Sequence, residues 1–350
     1  MLKKNFLSIL KVAAVFIGTI VGAGLASGRE ITQFFTLYGF KSFIGIIICG
    51  GIYIYAGSII SKISIKYNLK SYNELITLVS PGFLGVLIDF ITGFFLVSSS
   101  AIILAASGAL LKQYFGVSIW VGIIIMVCFS ILTLMKETEG LIGINSFIVP
   151  CLIITLLIIF MLYVFFYNDS ITISYLSNIP SDKKYWLLSA LLYAGFNILC
   201  CSGVLVPLSS EIKDENILKK GIALGSLGLT ILCVFINAML LLNKPYITLY
   251  EIPLLYIANR FGASIQIALL AVIWLEMFST EVSNIYSISQ TMKQSFNLSF
   301  RKSMLIILAI AIPISQIGFS TLISVLYPAF GAVSLVFLGQ CIYFYYKNFK

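Results

Sequence analysis

The chain has 350 residues, 60% of them hydrophobic and only 10% charged, with a net charge of +9 and a mean hydropathy of +1.06. A soluble domain carries about 25% charged residues, so this composition excludes a water-exposed globule and points to the lipid bilayer as partner. The basic residues form no patch within a soluble fold, which excludes a nucleic-acid-reading module, and the lack of any His excludes His-ligated metal sites and His-based triads.

At about 20 residues per crossing, the apolar stretches predict ten transmembrane helices. They fall at 7–37, 40–62, 83–111, 117–135, 141–167, 185–212, 217–242, 264–292, 303–319 and 321–346. The Met1-Leu2-Lys3-Lys4 start has the look of a signal peptide. No small-x-small cleavage site follows a short apolar core, so it reads as the head of a retained span.

Basic residues orient a membrane protein by favouring the cytoplasmic side. With the N-terminus placed there, fifteen of the 22 Lys and Arg residues are cytoplasmic and six are outside, with Arg29 inside a span. The outer six are Lys41, Lys112, Lys183, Lys184, Lys244 and Arg260. Losing one span would scatter this bias. It therefore supports ten crossings of the plasma membrane with both termini cytoplasmic.

The most polar linker, 168–184, divides the single transmembrane domain 1–350 into five-span halves, 7–167 and 185–346. An odd count per half makes the second half enter from the opposite side. That is a 5+5 inverted repeat, the plan of many secondary transporters. Gly22 and Gly203, Glu30 and Glu211, and Ile31 and Ile212 are matching pairs 181 residues apart, each in the first span of its half.

The first span holds Gly18, Gly22, Gly24 and Gly28 in eleven residues, then Arg29 and Glu30. Each helix-interior Gly costs about 1 kcal/mol against Ala. A tight helix crossing would also use glycine, but the quick turn to polar residues favours a broken helix. Such a break is tolerated in a membrane only where it lines a cavity or is buried in protein. It leaves carbonyls near Gly18 and Val21 for a cation, and N–H groups near Gly24 and Leu25 for an anionic group. Gly22, Ala23 and Gly24 are thus candidates for contact with a solute.

The sixth span runs through Tyr193, Gly195, Phe196, Asn197, Ser202 and Gly203 to Pro207. Proline suits the first turn of a new helix, so a second break is expected between about Phe196 and Gly203. Tyr193, Phe196, Asn197, Ser202 and Gly203 are then further solute contacts, with Asn197 and Ser202 alternatively satisfying local backbone.

In the eighth span Glu276, Thr280, Ser283 and Ser287 recur at one helical face, flanked by Ser279. Hydroxyls there could serve a small cation, and an intramembrane carboxylate such as Glu276 is a functional candidate by default, here as a proton carrier. Glu281 lies on another face. Arg29 and Glu30 are adjacent and diverge on a helix, which makes each a candidate for an outer gate. Asp89, near the cytoplasmic start of the third span, is a candidate for an inner one. The aromatics read as mostly lipid-facing or interfacial, and the seven cysteines as small packing residues. No phosphate loop, nucleophile elbow or metal-ligand spacing is present, so the chain does not read as an enzyme.

VGAGLASGREI at 21–31, with Phe196-Asn197, Val206-Pro207-Leu208 and Glu211-Ile212-Lys213, resembles the YkvI-type family of bacterial membrane proteins, over most of the chain. These in turn resemble the amino acid–polyamine–organocation superfamily. The resemblance implies the LeuT-like fold, with solute between broken first and sixth helices. It implies a Na⁺ between the carbonyls of Gly18 and Val21 and the hydroxyls of Ser279, Thr280 or Ser283. Glu276, one turn away, makes H⁺ the alternative coupling ion, and no other cofactor is implied. The tenth span has no acid to pair with Arg29 across an outer gate. The expectation is a cation-coupled secondary transporter of a small organic solute, an amino acid or related amine. The rival is a solute sensor on the same fold, like the membrane subunits of germinant receptors, and a channel is a third.

Overall fold

In the computed structural model, residues 2–135, 141–167, 172–296 and 298–349 are described, and their regular structure is all helical. The first predicted span is three pieces: α1 (Leu2–Ile20), α2 (Ala23–Ser27) and α3 (Arg29–Phe34), followed by a 3₁₀ turn at Thr36–Tyr38. Next come α4 (Lys41–Tyr67), a short α5 (Tyr72–Val79), α6 (Phe83–Phe115), α7 (Ile119–Leu134) and α8 (Leu141–Tyr167). After the polar linker with its α9 (Ile173–Asn178) the chain continues through α10 (Trp186–Ile212), α11 (Glu215–Leu242), α12 (Pro253–Ala258), α13 (Ala263–Phe296), α14 (Phe300–Ser315) and α15 (Phe319–Asn348).

Among the described residues, seven helices are by length and composition able to cross a membrane: α4, α6, α8, α10, α11, α13 and α15. The remaining predicted spans coincide with the divided α1–α3, with the 16-residue α7 and with the 16-residue α14. Short helices α5, α9 and α12 were invisible as spans, because each is only 6–8 residues long. Local chemistry ends the elements where expected. Ser71 accepts from the Glu74 N–H while the Glu74 carboxylate accepts from the Lys70 N–H, which satisfies two free donors at the start of α5. The Asp214 carboxylate takes the N–H groups of Asn216 and Ile217 to start α11.

The expected break in the sixth span is absent. α10 runs unbroken from Trp186 to Ile212 with Pro207 inside it. Pro207 has no N–H for the Gly203 carbonyl. Asn197, Ser202 and Ser209 turn their polar groups onto carbonyls of the same helix, those of Tyr193, Leu199 and Leu205. The two halves therefore differ at their matching positions: Glu30 is buried, whereas Glu211 is exposed and pairs with Lys11 at 3.7 Å.

α10 lies between α4 and α15, α11 packs on α1 and α4, and α6 packs on α7, α13 and α14. The α6–α7 seam is very close. A Cβ on Gly122 would overlap the Ser107 carbonyl oxygen, and one on Gly108 would lie 2.8 Å from that of Ile119. Polar groups at the helix ends sort into two sets. Lys11–Glu211, Lys62–Glu215 and Lys66 on the Asn348 carbonyl lie at one end of the bundle. At the other, Lys244 pairs with Asp182 at 2.9 Å and Gln113 exchanges two hydrogen bonds with the backbone of Ile252.

Candidate functional site

Two residues separate α1 from α2. Gly22 is extended (φ −123°, ψ −174°), and Gly28, between α2 and α3, is left-handed at φ 80°. The left-handed conformation is one that glycine adopts without strain. Beyond the break the carbonyls are met: Ala26 N–H donates to Gly22, Ser27 Oγ to Gly24, and Thr32 N–H and Oγ1 to Gly28. Across the break neither side is met, and the N–H groups of Gly22, Ala23, Gly24 and Leu25 find no acceptor among the described residues. The carbonyls of Gly18, Thr19, Ile20 and Val21 receive no hydrogen bond from the described residues. An unmet carbonyl buried in protein is costly, so the break presents a row of acceptors.

The turn at Gly28 sends Glu30 back beneath the break, not out to a gate. Its side chain is 4% exposed and lies so close on Gly24 that a Cβ there would overlap the carboxylate. Tyr193 Oη of α10 donates to Glu30 Oε2 at 3.0 Å, and the Tyr327 hydroxyl of α15 lies alongside. Rings close the surroundings. Tyr193 stands 5.1 Å from both Phe34 and Phe35, Tyr327 stacks on Phe196 at 4.4 Å, and Phe95 meets Phe196 at 5.3 Å. The expectation that aromatics face lipid is thus corrected for this set, which lines the interior.

The end of the divided helix is held by its neighbours. Ser189 Oγ donates to the Phe34 carbonyl at 2.9 Å, Thr36 Oγ1 donates to Asn237 Oδ1 at 2.9 Å, and Asn237 Nδ2 donates to Ser42 Oγ at 2.7 Å. Arg29 points the other way from Glu30. Its Nη1 donates to the Tyr250 carbonyl at 3.2 Å, near Glu251, which accepts from Ser320 N–H at 2.9 Å and from Ser320 Oγ. Burial first, and then the nearby Arg29 guanidinium, push the Lys183 ammonium below its ordinary range. The acid close to Arg29 is therefore Glu251, a loop residue that no spacing singled out, and not a residue of the tenth span.

Of the sequence-derived solute contacts, Gly22, Ala23 and Gly24 form the break, and Tyr193 and Phe196 face it. Asn197 and Ser202 are occupied by their own helix, and Gly203 is exposed with open space where a Cβ would be. α13 packs on α2, α6 and α8. Along it Glu276 and Ser279 are buried, Thr280 and Ser283 half-buried, and Ser287 exposed. The predicted polar stripe is consequently not one buried face: Ser287, next to the exposed Tyr286, faces outward while Ile288 and Ser289 are buried. Glu276 Oε2 has no hydrogen-bond partner among the described residues. The Asp89 side chain lies outside the described residues.

A second polar seam joins α13 to α6. Ser100 Oγ donates to Glu281 Oε1 at 2.6 Å, and Asn284 Nδ2 donates to Ser99 Oγ at 2.9 Å. Ser100→Ala should lower the thermal midpoint of the purified protein, because it leaves a fully buried carboxylate without its hydroxyl, worth about 1–3 kcal/mol. An unchanged melting curve would show that this contact is dispensable.

No family model matches the chain. It is 33% identical over 333 residues, 94% of each chain, to the uncharacterized membrane protein YkvI of Bacillus subtilis (strain 168). It is 24% identical to the uncharacterized protein YyaD of the same organism over 336 residues, 96% of each chain. Among solved structures it resembles the nucleobase-cation-symport-1 family transporter Mhp1, with bromovinylhydantoin bound (TM-score 0.63, 13% identity, 91% of this chain and 74% of that one). A Na⁺-coupled sialic acid symporter is similar at TM-score 0.63 and 15% identity, over 95% and 78% of the two chains. The Eremococcus coleocola manganese transporter is similar at TM-score 0.59 and 16% identity, over 97% and 77%. At these identities the shared feature is the fold, that of LeuT-like membrane transporters.

Proposed function

The chain belongs to the YkvI family of bacterial membrane proteins, and we propose that it is a cation-coupled secondary transporter of a small organic solute. The observation that carries this is the break in the first helix: four carbonyls, at a half-buried to buried helix end, that receive no hydrogen bond from the described residues, with the buried Glu30 carboxylate turned toward α2. A purely structural helix would have no reason to keep this arrangement at a standing cost.

On this reading the domain crosses the plasma membrane ten times as two inverted five-helix repeats, with both termini cytoplasmic. The two sets of end contacts, one at each end of the bundle, support that alternation. The coupling ion, Na⁺ or H⁺, sits between the Gly18–Val21 carbonyls and Ser279, Thr280 or Ser283, with Glu276 as the proton carrier in the second case. The packing of α13 on α2 supports this placement.

Vesicles reconstituted with the full chain should accumulate an amino acid or amine saturably, driven by an imposed Na⁺ or pH gradient. Flux indistinguishable from empty vesicles, across a broad solute panel and both gradients, would refute the transport reading.

A further inference from the structure

Backbone donors and acceptors both face the break, and the charged side chain that enters it is an acid. Glu30 brings a carboxylate, and the α1 end brings four carbonyls. The positive side chain closest in sequence, Arg29, is directed away to the Tyr250 carbonyl and Glu251. The opposing N–H groups belong to α2, which has only five residues, so its dipole is short and offers little to an anion. The walls are aromatic rings, whose faces attract cations. An ammonium group has three donors and no acceptor, which complements the Glu30 carboxylate and the α1 carbonyls; a solute carboxylate would meet the like charge of Glu30.

We propose that the Glu30 carboxylate, framed by Phe34, Tyr193, Phe196 and Tyr327, recognises the ammonium head of an organic cation, and that the solute is an amine without a carboxylate. The ammonium donates to Glu30 and to the free carbonyls of the α1 end, while the rest of the solute lies against the rings. This rests on the break being the solute site, and it narrows the solute from amino acids and amines to amines alone.

The test is equilibrium binding to the purified full chain, wild type and Glu30→Gln, with tyramine and putrescine as cationic probes. Tyrosine and ornithine serve as zwitterionic counterparts and tyrosol as the neutral counterpart of tyramine. Gln keeps the size of Glu and an oxygen for Tyr193, so only the charge is removed. At least one cation should bind saturably to wild type, with its counterparts weaker, and Glu30→Gln should bind it about 10- to 100-fold more weakly. Should Glu30→Gln fail to fold, Tyr193→Phe provides the second arm and should shift the affinity for the same cation. Unchanged cation binding in the folded Glu30→Gln protein would overturn the assignment. So would tight binding of a zwitterion or neutral probe that ignores the substitution, although transport through the break would then stand. No binding by any probe, together with no gradient-driven uptake in vesicles, would remove the transport reading as well.

Discussion

Gly24→Val is expected to abolish solute binding while the protein remains folded and inserted. A Cβ at this position would overlap the Glu30 carboxylate and the side-chain carbons that carry it, so the whole Glu30 side chain must leave. Rotation of its tip does not relieve the overlap. Displaced, it loses the Tyr193 hydroxyl and the position opposite the free carbonyls. Losing a charged hydrogen bond and the site's shape together corresponds to about 100-fold or more in affinity. Gly51 provides the internal control. It is exposed on α4, away from the break, and a Cβ there would meet nothing within 4 Å, so Gly51→Ala should bind close to wild type. Binding titrations on both variants, with gel filtration to show that each is monodisperse, decide the matter. Wild-type affinity in Gly24→Val would show that Glu30 is not part of the solute site.

Gly122→Val should destabilise the fold more than any substitution at the break. Here the overlap is with backbone: the Ser107 carbonyl oxygen, and the Gly108 Cα 2.7 Å away. Backbone cannot rotate aside, so α6 and α7 must separate, and the bond from Ser107 Oγ to the Gly122 carbonyl at 3.1 Å goes with the contact. Small residues permit such close approach between membrane helices. Overpacking costs about 1–3 kcal/mol even where side chains can adjust, and this seam has none to adjust. The expected result is a markedly lower thermal midpoint or loss of monodisperse protein. An unaltered midpoint would mean that the seam opens freely.

Why one break was legible and the other misread follows from what each helix has available. In the first span four glycines supply both the extended residue at Gly22 and the left-handed one at Gly28, and no polar side chain repairs the α1 carbonyls. In α10, Pro207 gives the same warning, but the helix runs through it, with Asn197 and Ser202 bonded to carbonyls of the same helix. A proline marks a missing donor and does not by itself decide that the helix ends there. Glu30 was recognised as a residue of interest but assigned outward, because its direction depends on the sign of a single φ at Gly28. Half of the aromatic frame was legible: Tyr193 and Phe196 stand one turn apart on α10 and read as solute contacts, whereas Phe34 of α3 and Tyr327 of α15 come singly and stand in no pattern. Glu251 escaped notice for a related reason: an acid in a polar loop looks solvated until the fold brings Ser320 to it.

Arg29 and Glu30 are consecutive residues on one six-residue helix, and they grip opposite things. The first holds the strand of loop at Tyr250; the second reaches into the interior under Gly24. A helix this short has no internal joint, so it turns as a lever whose pivot is the glycine before it. Any tilt that frees the carboxylate also pulls on the loop, and any lifting of the loop drags the carboxylate. Whatever occupies the interior and whatever covers it from the loop side are thus tied to the same small rigid arm.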